Sequence, residues 1–459
     1  MVTRHAGSLL KYPARVSLAW YLIVIVVGAL LLHRPACRNA ERPPIGLLDA
    51  FFTSTSAVCV TGLATRSTGE DFNLLGQLVI VGLIQLGGVG IITVTTFAMV
   101  QLGNRASLRQ RSVIAESLGT GDRVDLRSIL RRVLYATLLC ESLGALLLTA
   151  RFAFDMSLTD ALWHGVFHAI SAFCNAGFGL WDDSLTRYQG DLIVNAVVPV
   201  LVIIGGIGFP VILDVFRHRK LPWREMWDRL TLHSKIMFLG TSALLAFGFA
   251  SFLALEWNGV LLDMPWWKRP LIALFHSVTT RTAGFNTVDL NDLTNATLGL
   301  TMLLMAIGAG PCSAAGGFKA STLTILTLYA WSRFHGGARV NAFRRSVPTE
   351  TVGRALTIVL MYGVAIVVML TAFLVAEQAG EPHRTAEEDF LEAAFEVVSA
   401  LGTVGLSLGV TPTLGDAAKV ILIILMFMGR LGPISVFVAI SRSDERRDIE
   451  FASEEPLLG

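Results

Sequence analysis

A glycine-containing motif occurs four times along the chain, as Val60-Thr61-Gly62-Leu63, Asn175-Ala176-Gly177-Phe178, Thr282-Ala283-Gly284-Phe285 and Thr403-Val404-Gly405-Leu406. The motif glycines lie 115, 107 and 121 residues apart, a period that matches a quarter of the 459 residues. Each motif ends a helix-like apolar run that is too short to cross a membrane and that lies between two longer apolar stretches. The pattern predicts a repeated unit of helix, half-helix, glycine turn and helix.

The composition places these units in a lipid bilayer. Hydrophobic residues make up 53% of the chain, charged residues make up 16%, and the mean hydropathy is +0.61. These values nearly exclude a soluble globular protein. A membrane helix needs about 20 mostly apolar residues, and the stretches that are long enough are 16–32, 73–102, 129–150, 190–216, 233–255, 295–330, 352–376 and 416–441.

The predicted fold is an all-α membrane protein made of four concatenated helix–pore loop–helix repeats around a pseudo-fourfold axis. It contains eight transmembrane helices and four re-entrant pore helices. The expected units are repeat 1 at 16–102, repeat 2 at 129–216, repeat 3 at 233–330, repeat 4 at 352–441 and a cytoplasmic tail at 442–459.

Lysine and arginine residues between the predicted spans are unevenly divided between the two sides of the membrane. One side, which includes both termini and the segments 103–132 and 217–235, holds 24 of them, and the other side holds 10. By the positive-inside rule, both termini are expected to be cytoplasmic. The formal net charge of only +2 gives no reason to expect nucleic acid as a partner.

Glycine at the end of a half-helix has a specific use at membrane depth. Irregular backbone is tolerated there only where it is buried in protein or lines a water-filled path, and glycine lets the chain turn successive carbonyl oxygens inward. A ring of such oxygens replaces the hydration shell of a monovalent cation, and the C-terminal ends of four short helices add a favourable dipole. The expected selectivity filter consists of Val60, Thr61, Gly62, Asn175, Ala176, Gly177, Thr282, Ala283, Gly284, Thr403, Val404 and Gly405.

The ordered set of motifs resembles the Trk/Ktr/HKT superfamily of potassium uptake proteins, whose subunits carry four concatenated repeats of this kind. The resemblance covers nearly the whole chain and rests on the longer strings Ser56–Leu63, Ser171–Phe178, Thr280–Asn286 and Phe395–Leu406. With eight predicted spans and nothing before the first repeat, the chain looks like a bacterial Ktr-type membrane subunit. Sodium-transporting members have serine in place of Gly62, so the resemblance implies K+ as the transported ion.

The resemblance also implies partners. Ktr membrane subunits are homodimers in the bacterial inner membrane, seated on a cytosolic ring of nucleotide-binding regulatory subunits. The basic loops 103–132 and 217–235 offer a surface for such a ring, although the positive-inside signal alone explains them equally well. The chain has no Walker loop, and Gly87-Gly88-Val89-Gly90 lacks the fingerprint of a dinucleotide site. No organic cofactor is therefore expected, and a nucleotide would act only through the partner.

The second helix of each repeat has a glycine cluster near its middle, which in the third repeat expands to Gly308–Lys319. Proline and small residues interrupt a helix there, and a loop of small residues in the conduction path can act as a gate. The resemblance implies an intramembrane loop at the same place. The expected gate residues are Gly308, Gly310, Pro311, Ser313, Gly316, Gly317, Lys319 and Arg430.

Arg430 lies near the middle of the last predicted span. A guanidinium keeps its charge, and a charge at membrane depth indicates function. Below a ring of carbonyls it would repel cations; alternatively, it pairs with Glu141 or with loop carbonyls. Lys319 either holds one conformation of the gate or extends to the cytoplasm, and Glu396 is expected to brace the fourth pore helix.

The main competing hypothesis is a secondary cation or solute transporter with alternating access around a midplane site. Such transporters usually have two inverted repeats, whereas this chain has four copies in one orientation. An intramembrane enzyme would need a catalytic pair within the spans. None is evident beyond His164 and His168, whose i, i+4 spacing is attributed to packing because no His-Glu-x-x-His pattern accompanies it.

Overall fold

A computed structural model describes residues 13–105, 126–337, 339–377 and 389–432, and in these ranges the chain is mostly helical. The described helices that are long and apolar enough to cross a membrane are Arg131–Phe152, Leu232–Leu255 and Thr349–Glu377, and a bent pair would make a fourth span. Shorter apolar helices lie in three more of the predicted spans, at Leu18–Leu32, Leu74–Gly90 and Asn295–Ala306. The tail 442–459 and most of the segment 103–132 lie outside the described residues.

Each quarter of the chain contains a first long helix, a short helix and a second long helix, which is split in the second and third quarters. The first two quarters contain α1 (Pro13–Leu32), α2 (Leu47–Val58), α3 (Leu74–Arg105), α4 (Leu126–Phe152), α5 (Leu158–Phe173), α6 (Leu192–Ile207), α7 (Phe209–His218) and α8 (Trp223–Arg229). The last two contain α9 (Leu232–Leu255), α10 (Lys268–Thr279), α11 (Asn295–Ala306), α12 (Ala320–Phe334), α13 (Thr349–Glu377), α14 (Asp389–Gly402) and α15 (Asp416–Leu431).

The short helices pack in a cyclic order. Helix α5 packs against α3, α10 against α6, and α14 against α11, so each contacts the second long helix of the preceding quarter. The remaining short helix, α2, packs against α15 in the last quarter. The order therefore closes on itself, and the short helices surround a common centre.

Two of the second long helices are broken. Helices α6 and α7 are bent by 97° at Gly208, where the sequence predicted one span over 190–216. Gly208 has a φ of 98°, and the N–H of Phe209 donates to Cys312 O over 3.1 Å. This bond to a distant segment supports a bend that local sequence does not reveal. The second break lies between α11 and α12, where the sequence predicts an interrupted helix; its residues are called the 307–319 loop.

A small hairpin joins α12 to α13. Its antiparallel strands are β1 (Val340–Ala342) and β2 (Arg345–Val347). Val340 and Val347 are buried together with Val352 of α13 and pack against α12. The hairpin is therefore part of the folded body.

The outer faces of the long helices are apolar. On α13, Val364, Val367 and Val368 are 59%, 65% and 57% exposed. A contiguous apolar surface of this kind is unfavourable in water and marks contact with another apolar phase. The surface is suited to the hydrocarbon interior of a bilayer.

Candidate functional site

The four glycine motifs share one backbone conformation. Two residues before each glycine, Val60, Asn175, Thr282 and Thr403 have φ values of 50°, 55°, 67° and 50°. The glycines Gly62, Gly177, Gly284 and Gly405 have φ values of 100°, 70°, 80° and 90°. Left-handed φ is uncommon for residues that carry a Cβ. Its recurrence at the same place in all four motifs shows that they are built alike.

The four motifs meet around one point. A Cβ added to Gly62 would lie 2.6 Å from Ala176 O, and one added to Gly177 would lie 2.9 Å from the Cα of Gly284. A Cβ added to Gly284 would lie 2.5 Å from Val404 O, and one added to Gly405 would collide with Thr61 O. Each motif thus touches the next, and the fourth returns to the first. Gly62, Gly177, Gly284 and Gly405 together are called the glycine ring.

Hydroxyl groups on the short helices hold the motifs in place. Ser56 Oγ accepts a hydrogen bond from Gly62 N, and Ser399 Oγ accepts one from Gly405 N, both over 3.1 Å. Thr279 Oγ1 donates to Phe285 O over 2.5 Å, whereas Ser171 Oγ has no partner among the described residues. A pattern in the sequence could have identified these four hydroxyl residues. All four hydroxyl residues lie four positions after a phenylalanine, namely Phe52, Phe167, Phe275 or Phe395.

One side of the glycine ring opens into a cavity of about 590 Å³, called the mouth cavity, whose lining includes all four ring glycines. Burial raises the pKa of Asp183 in this lining, but hydrogen bonds from Arg187 and Thr186 outweigh burial and hold the pKa below its usual value. Carboxylates predominate in the lining and favour cations over anions. The charged residues described in it are Arg66, Asp182, Asp183, Asp289 and Asp292.

Arg66 is balanced by a buried carboxylate. Asp49, in the first turn of α2, accepts hydrogen bonds from Arg66 Nε over 3.0 Å and from Lys419 Nζ of α15 over 3.2 Å. Asp49 is 8% exposed, so these bonds are largely shielded from solvent. The carboxylate therefore fixes the guanidinium at the mouth cavity and joins the first quarter of the chain to the last.

The 307–319 loop packs against the glycine motifs and against α6. The N–H of Gly308 donates to Phe318 O over 2.8 Å and closes the neck of the loop. The N–H of Gly310 donates to Gly206 O over 2.7 Å, and Ser313 Oγ donates to Gly310 O over 2.6 Å. The other expected gate residues also have close neighbours. Pro311 O lies beside Gly208, Gly316 lies against the Thr403 side chain, and Gly317 has a φ of 66° beside Gly308.

Arg430 and Lys319 both bond to this loop. Arg430 is 4% exposed and donates to Ala314 O of the loop and, over 2.8 Å, to Gly87 O of α3. Of the alternatives considered for Arg430, the structure contains the hydrogen bond to a loop carbonyl, that of Ala314. Lys319 Nζ donates to Ala315 O over 2.7 Å, so it turns back to the loop.

Three side chains singled out by the sequence have structural partners. Glu141 accepts a hydrogen bond from Gln85 Nε2 over 2.7 Å and does not pair with Arg430. Glu396 accepts one from Thr411 Oγ1 over 3.0 Å, so it ties its helix to the segment after the fourth motif. The His168 ring stacks on Trp181 at a centroid distance of 4.6 Å.

Several known proteins are similar to this chain over nearly its whole length. Residues 9–448 match the TrkH family, described as a cation transport protein. The chain is 34% identical over 449 residues to the Ktr system potassium uptake protein B of Bacillus subtilis (strain 168), with 97% of each chain covered. It is 35% identical over 451 residues to the potassium/sodium uptake protein NtpJ of Enterococcus hirae, again with 97% of each covered. Among solved structures, that of the potassium transporter TrkH from Vibrio parahaemolyticus has a similar fold, with a TM-score of 0.69 at 21% identity and coverage of 92% of this chain and 84% of that one.

Proposed function

The chain belongs to the TrkH family of cation transport proteins, and on that premise we propose that it takes up K+ across the bacterial cell membrane through the glycine ring. It is a transporter and not an enzyme. The closed order of the four glycine motifs supports this function most directly, because a Cβ at any ring position would collide with a neighbouring motif. Because the motifs approach each other so closely, backbone atoms surround the centre of the glycine ring. Backbone carbonyl oxygens can coordinate a cation that has lost its water shell.

The filter has one segment from each of the four repeats 16–102, 129–216, 233–330 and 352–441. Carbonyl oxygens of the segments replace the water around K+. The short helices end at Val58, Phe173, Thr279 and Gly402, a few residues before the ring glycines, so their negative ends lie near the ion. The filter segments are Val60–Gly62, Asn175–Gly177, Thr282–Gly284 and Thr403–Gly405.

The 307–319 loop is the gate. Arg430 holds it against the wall of the pore by bonding to Ala314 O, and its own last residue, Lys319, turns back and bonds to Ala315 O. Fixed positive charge beyond the filter repels K+. Conduction therefore requires the loop to move and some of these hydrogen bonds to break.

The mouth cavity faces the outside of the cell, and both termini face the cytoplasm. The chain works as a homodimer in the bilayer, and a cytosolic ring of nucleotide-binding subunits controls its gate. Arg217, Arg219, Lys220 and Arg224 lie together on and between α7 and α8 and offer that ring a basic surface. Crosslinking of native membranes, followed by mass determination, tests both associations.

The filter is tested by Gly62→Ser in a bacterial strain that lacks its own potassium uptake systems. Uptake is measured in K+ and in Na+, and the variant is expected to lose its preference for K+ because a serine Cβ would lie 2.6 Å from Ala176 O. Gly82→Ser is the matched control, because a Cβ at Gly82 would have no atom of the described residues within 4 Å. Unchanged selectivity in Gly62→Ser, or no K+ uptake by the unsubstituted chain, would overturn the assignment.

A further inference from the structure

A buried arginine behind the third glycine motif has no part in the function proposed above. Arg281 is 4% exposed, and among the described residues no carboxylate pairs with it. Its Nη2 donates to Leu304 O over 2.7 Å, whereas its Nε and Nη1 have no partner in the described chain. An unpaired buried charge is strongly destabilising. We therefore infer the role of Arg281 from the hydrogen bond that its Nη2 donates to Leu304 O.

The arginine occurs in only one of the four motifs. Three residues before the ring glycine, the first and second motifs have Cys59 and Cys174, and the fourth has Gly402. The third quarter is also the one whose second long helix stops at Ala306 and gives way to the 307–319 loop. The arginine and the long interruption thus belong to the same quarter.

The hydrogen bond to Leu304 O falls at the end of the interrupted helix. Leu304 lies in the last turn of α11, and the N–H of Ile307, the first loop residue, donates to the same carbonyl. A helix end leaves carbonyl groups without helical partners, and no bulk water satisfies them at membrane depth. A guanidinium at this end meets that need and also interacts favourably with the helix dipole. Arg281 is therefore a cap for the C-terminal end of α11.

The guanidinium also lies beside the neck of the loop. Arg281, Gly308 and Ala309 line one small cavity of about 10 Å³. Ala309 O accepts a hydrogen bond from Ala320 N over 3.0 Å, where the chain leaves the loop and begins α12. On its backbone side, Arg281 O accepts a hydrogen bond from Asn175 Nδ2 over 3.3 Å, so the same residue contacts the second glycine motif.

From these contacts we propose that Arg281 is a positioning residue that anchors the hinge of the 307–319 loop to the filter. The inference rests on the proposed role of the loop as a gate. The Arg281 side chain holds the end of α11, and the Arg281 backbone directly precedes the third glycine motif and bonds to Asn175 of the second. The loop therefore hinges from a point that is fixed to the filter. Without the guanidinium, the end of α11 loosens and the loop leaves its closed position more often.

Cys312, which is buried in the loop, provides a reporter for this movement. In the full-length chain, Cys37, Cys59, Cys140 and Cys174 are replaced by serine, and the rate at which N-ethylmaleimide labels Cys312 is measured in membranes. Arg281→Met keeps an unbranched, flexible side chain, although a shorter one, and removes the charge and the donors. It is expected to raise the labelling rate about tenfold, which corresponds to about 1.4 kcal/mol in the opening equilibrium.

Two further variants separate an anchor from general damage. Arg281→Lys keeps a charge and a donor, and its labelling rate is expected to stay near that of the parent. Arg66→Gln removes a guanidinium at the mouth cavity and is expected to leave labelling unchanged. Uptake kinetics provide the second readout. Arg281→Met is expected to change the maximal rate of K+ uptake and to leave the KM for K+ within about twofold, well below the tenfold change that about 1.4 kcal/mol represents. The KM is spared because the guanidinium bonds to the end of α11 and not to a carbonyl of the filter.

The outcomes distinguish this inference from the proposed function. Equal labelling rates in the parent and Arg281→Met, or equal rates in the Met and Lys variants, would overturn the anchor. A raised KM with unchanged labelling would also overturn it, since the arginine would then act on the filter and not on the loop. Absence of K+ uptake by the unsubstituted chain would instead refute the proposed function, and labelling of Cys312 can be measured in either case.

Discussion

Alanine at two positions of the glycine ring is expected to have unequal effects. Gly177 has a φ of 70°, and an added Cβ would lie 2.9 Å from the Cα of Gly284 and 3.0 Å from Ala283 O. Gly405 has a φ of 90°, and an added Cβ would collide directly with Thr61 O. Alanine at Gly405 therefore displaces Thr61 O, a backbone oxygen of the first glycine motif, much further than alanine at Gly177 displaces Ala283 O.

The magnitudes follow from backbone strain and from the displacement. A left-handed φ costs a residue with a Cβ about 1–2 kcal/mol, and the left-handed optimum near +57° is closer to the φ of Gly177. We expect Gly177→Ala to weaken the apparent affinity for K+ about tenfold, or about 1.4 kcal/mol. In Gly405→Ala, the oxygen must retreat by more than about 1 Å to reach an ordinary contact of about 3.5 Å. The expected loss there is at least about a hundredfold.

The assay is K+ uptake over a range of external concentrations, in cells without other potassium uptake systems, so that KM and the maximal rate are obtained separately. Gly409→Ala is the matched control, because Gly409 also has a positive φ, of 92°, but a Cβ there would lie more than 4 Å from every other atom in the described ranges. It introduces the strain without the collision. Equal losses in the two ring variants, or a loss in Gly409→Ala as large as that in Gly405→Ala, would refute the reasoning.

Three further predictions concern residues that support the filter. Asp49→Asn should leave both Arg66 and Lys419 without their carboxylate. The uncompensated guanidinium at the mouth cavity should raise the KM for K+ about fivefold, which corresponds to the roughly 1 kcal/mol between two unit charges about 4 Å apart in water. Adding Arg66→Gln should restore the KM in the same uptake assay; a double variant no better than Asp49→Asn would contradict this account. Glu396→Gln should lower the free energy of unfolding in detergent by about 1–2 kcal/mol, because an amide can accept only one of the two hydrogen bonds that the carboxyl oxygens accept from Ser407 and Thr411; an unchanged unfolding curve would count against the brace. Ser56→Ala should lower the free energy of unfolding by about 1 kcal/mol and increase Na+ uptake, whereas Ser171→Ala, which removes a hydroxyl that has no partner in the described part of the chain, should change neither.

The sequence predicts those features that depend on local backbone requirements. Glycine at the end of each short helix reflects a left-handed turn, and φ values between 70° and 100° at Gly62, Gly177, Gly284 and Gly405 agree with that expectation. The hydrophobic pattern likewise locates the long helices. Both signals repeat four times, so agreement among the copies strengthens each one.

Features that depend on distant contacts could not be predicted in the same way. The bend at Gly208 is supported by a bond from Phe209 to Cys312 O, which belongs to the next quarter of the chain. Arg430 bonds to carbonyls 116 and 343 residues away, so the sequence left its partner open between a carboxylate and the loop. Arg281 stands where the first two motifs have cysteine, but its bond to Leu304 O requires the third short helix to lie beside the end of α11, which the sequence does not show.

The contact between Asp49 and Lys419 joins residues 370 positions apart. A ribosome must therefore complete nearly the whole polypeptide before the two ends of the wall can meet. Until the fourth glycine motif has been made, the glycine ring lacks one of its four sides, so the closed arrangement can form only when synthesis is nearly complete.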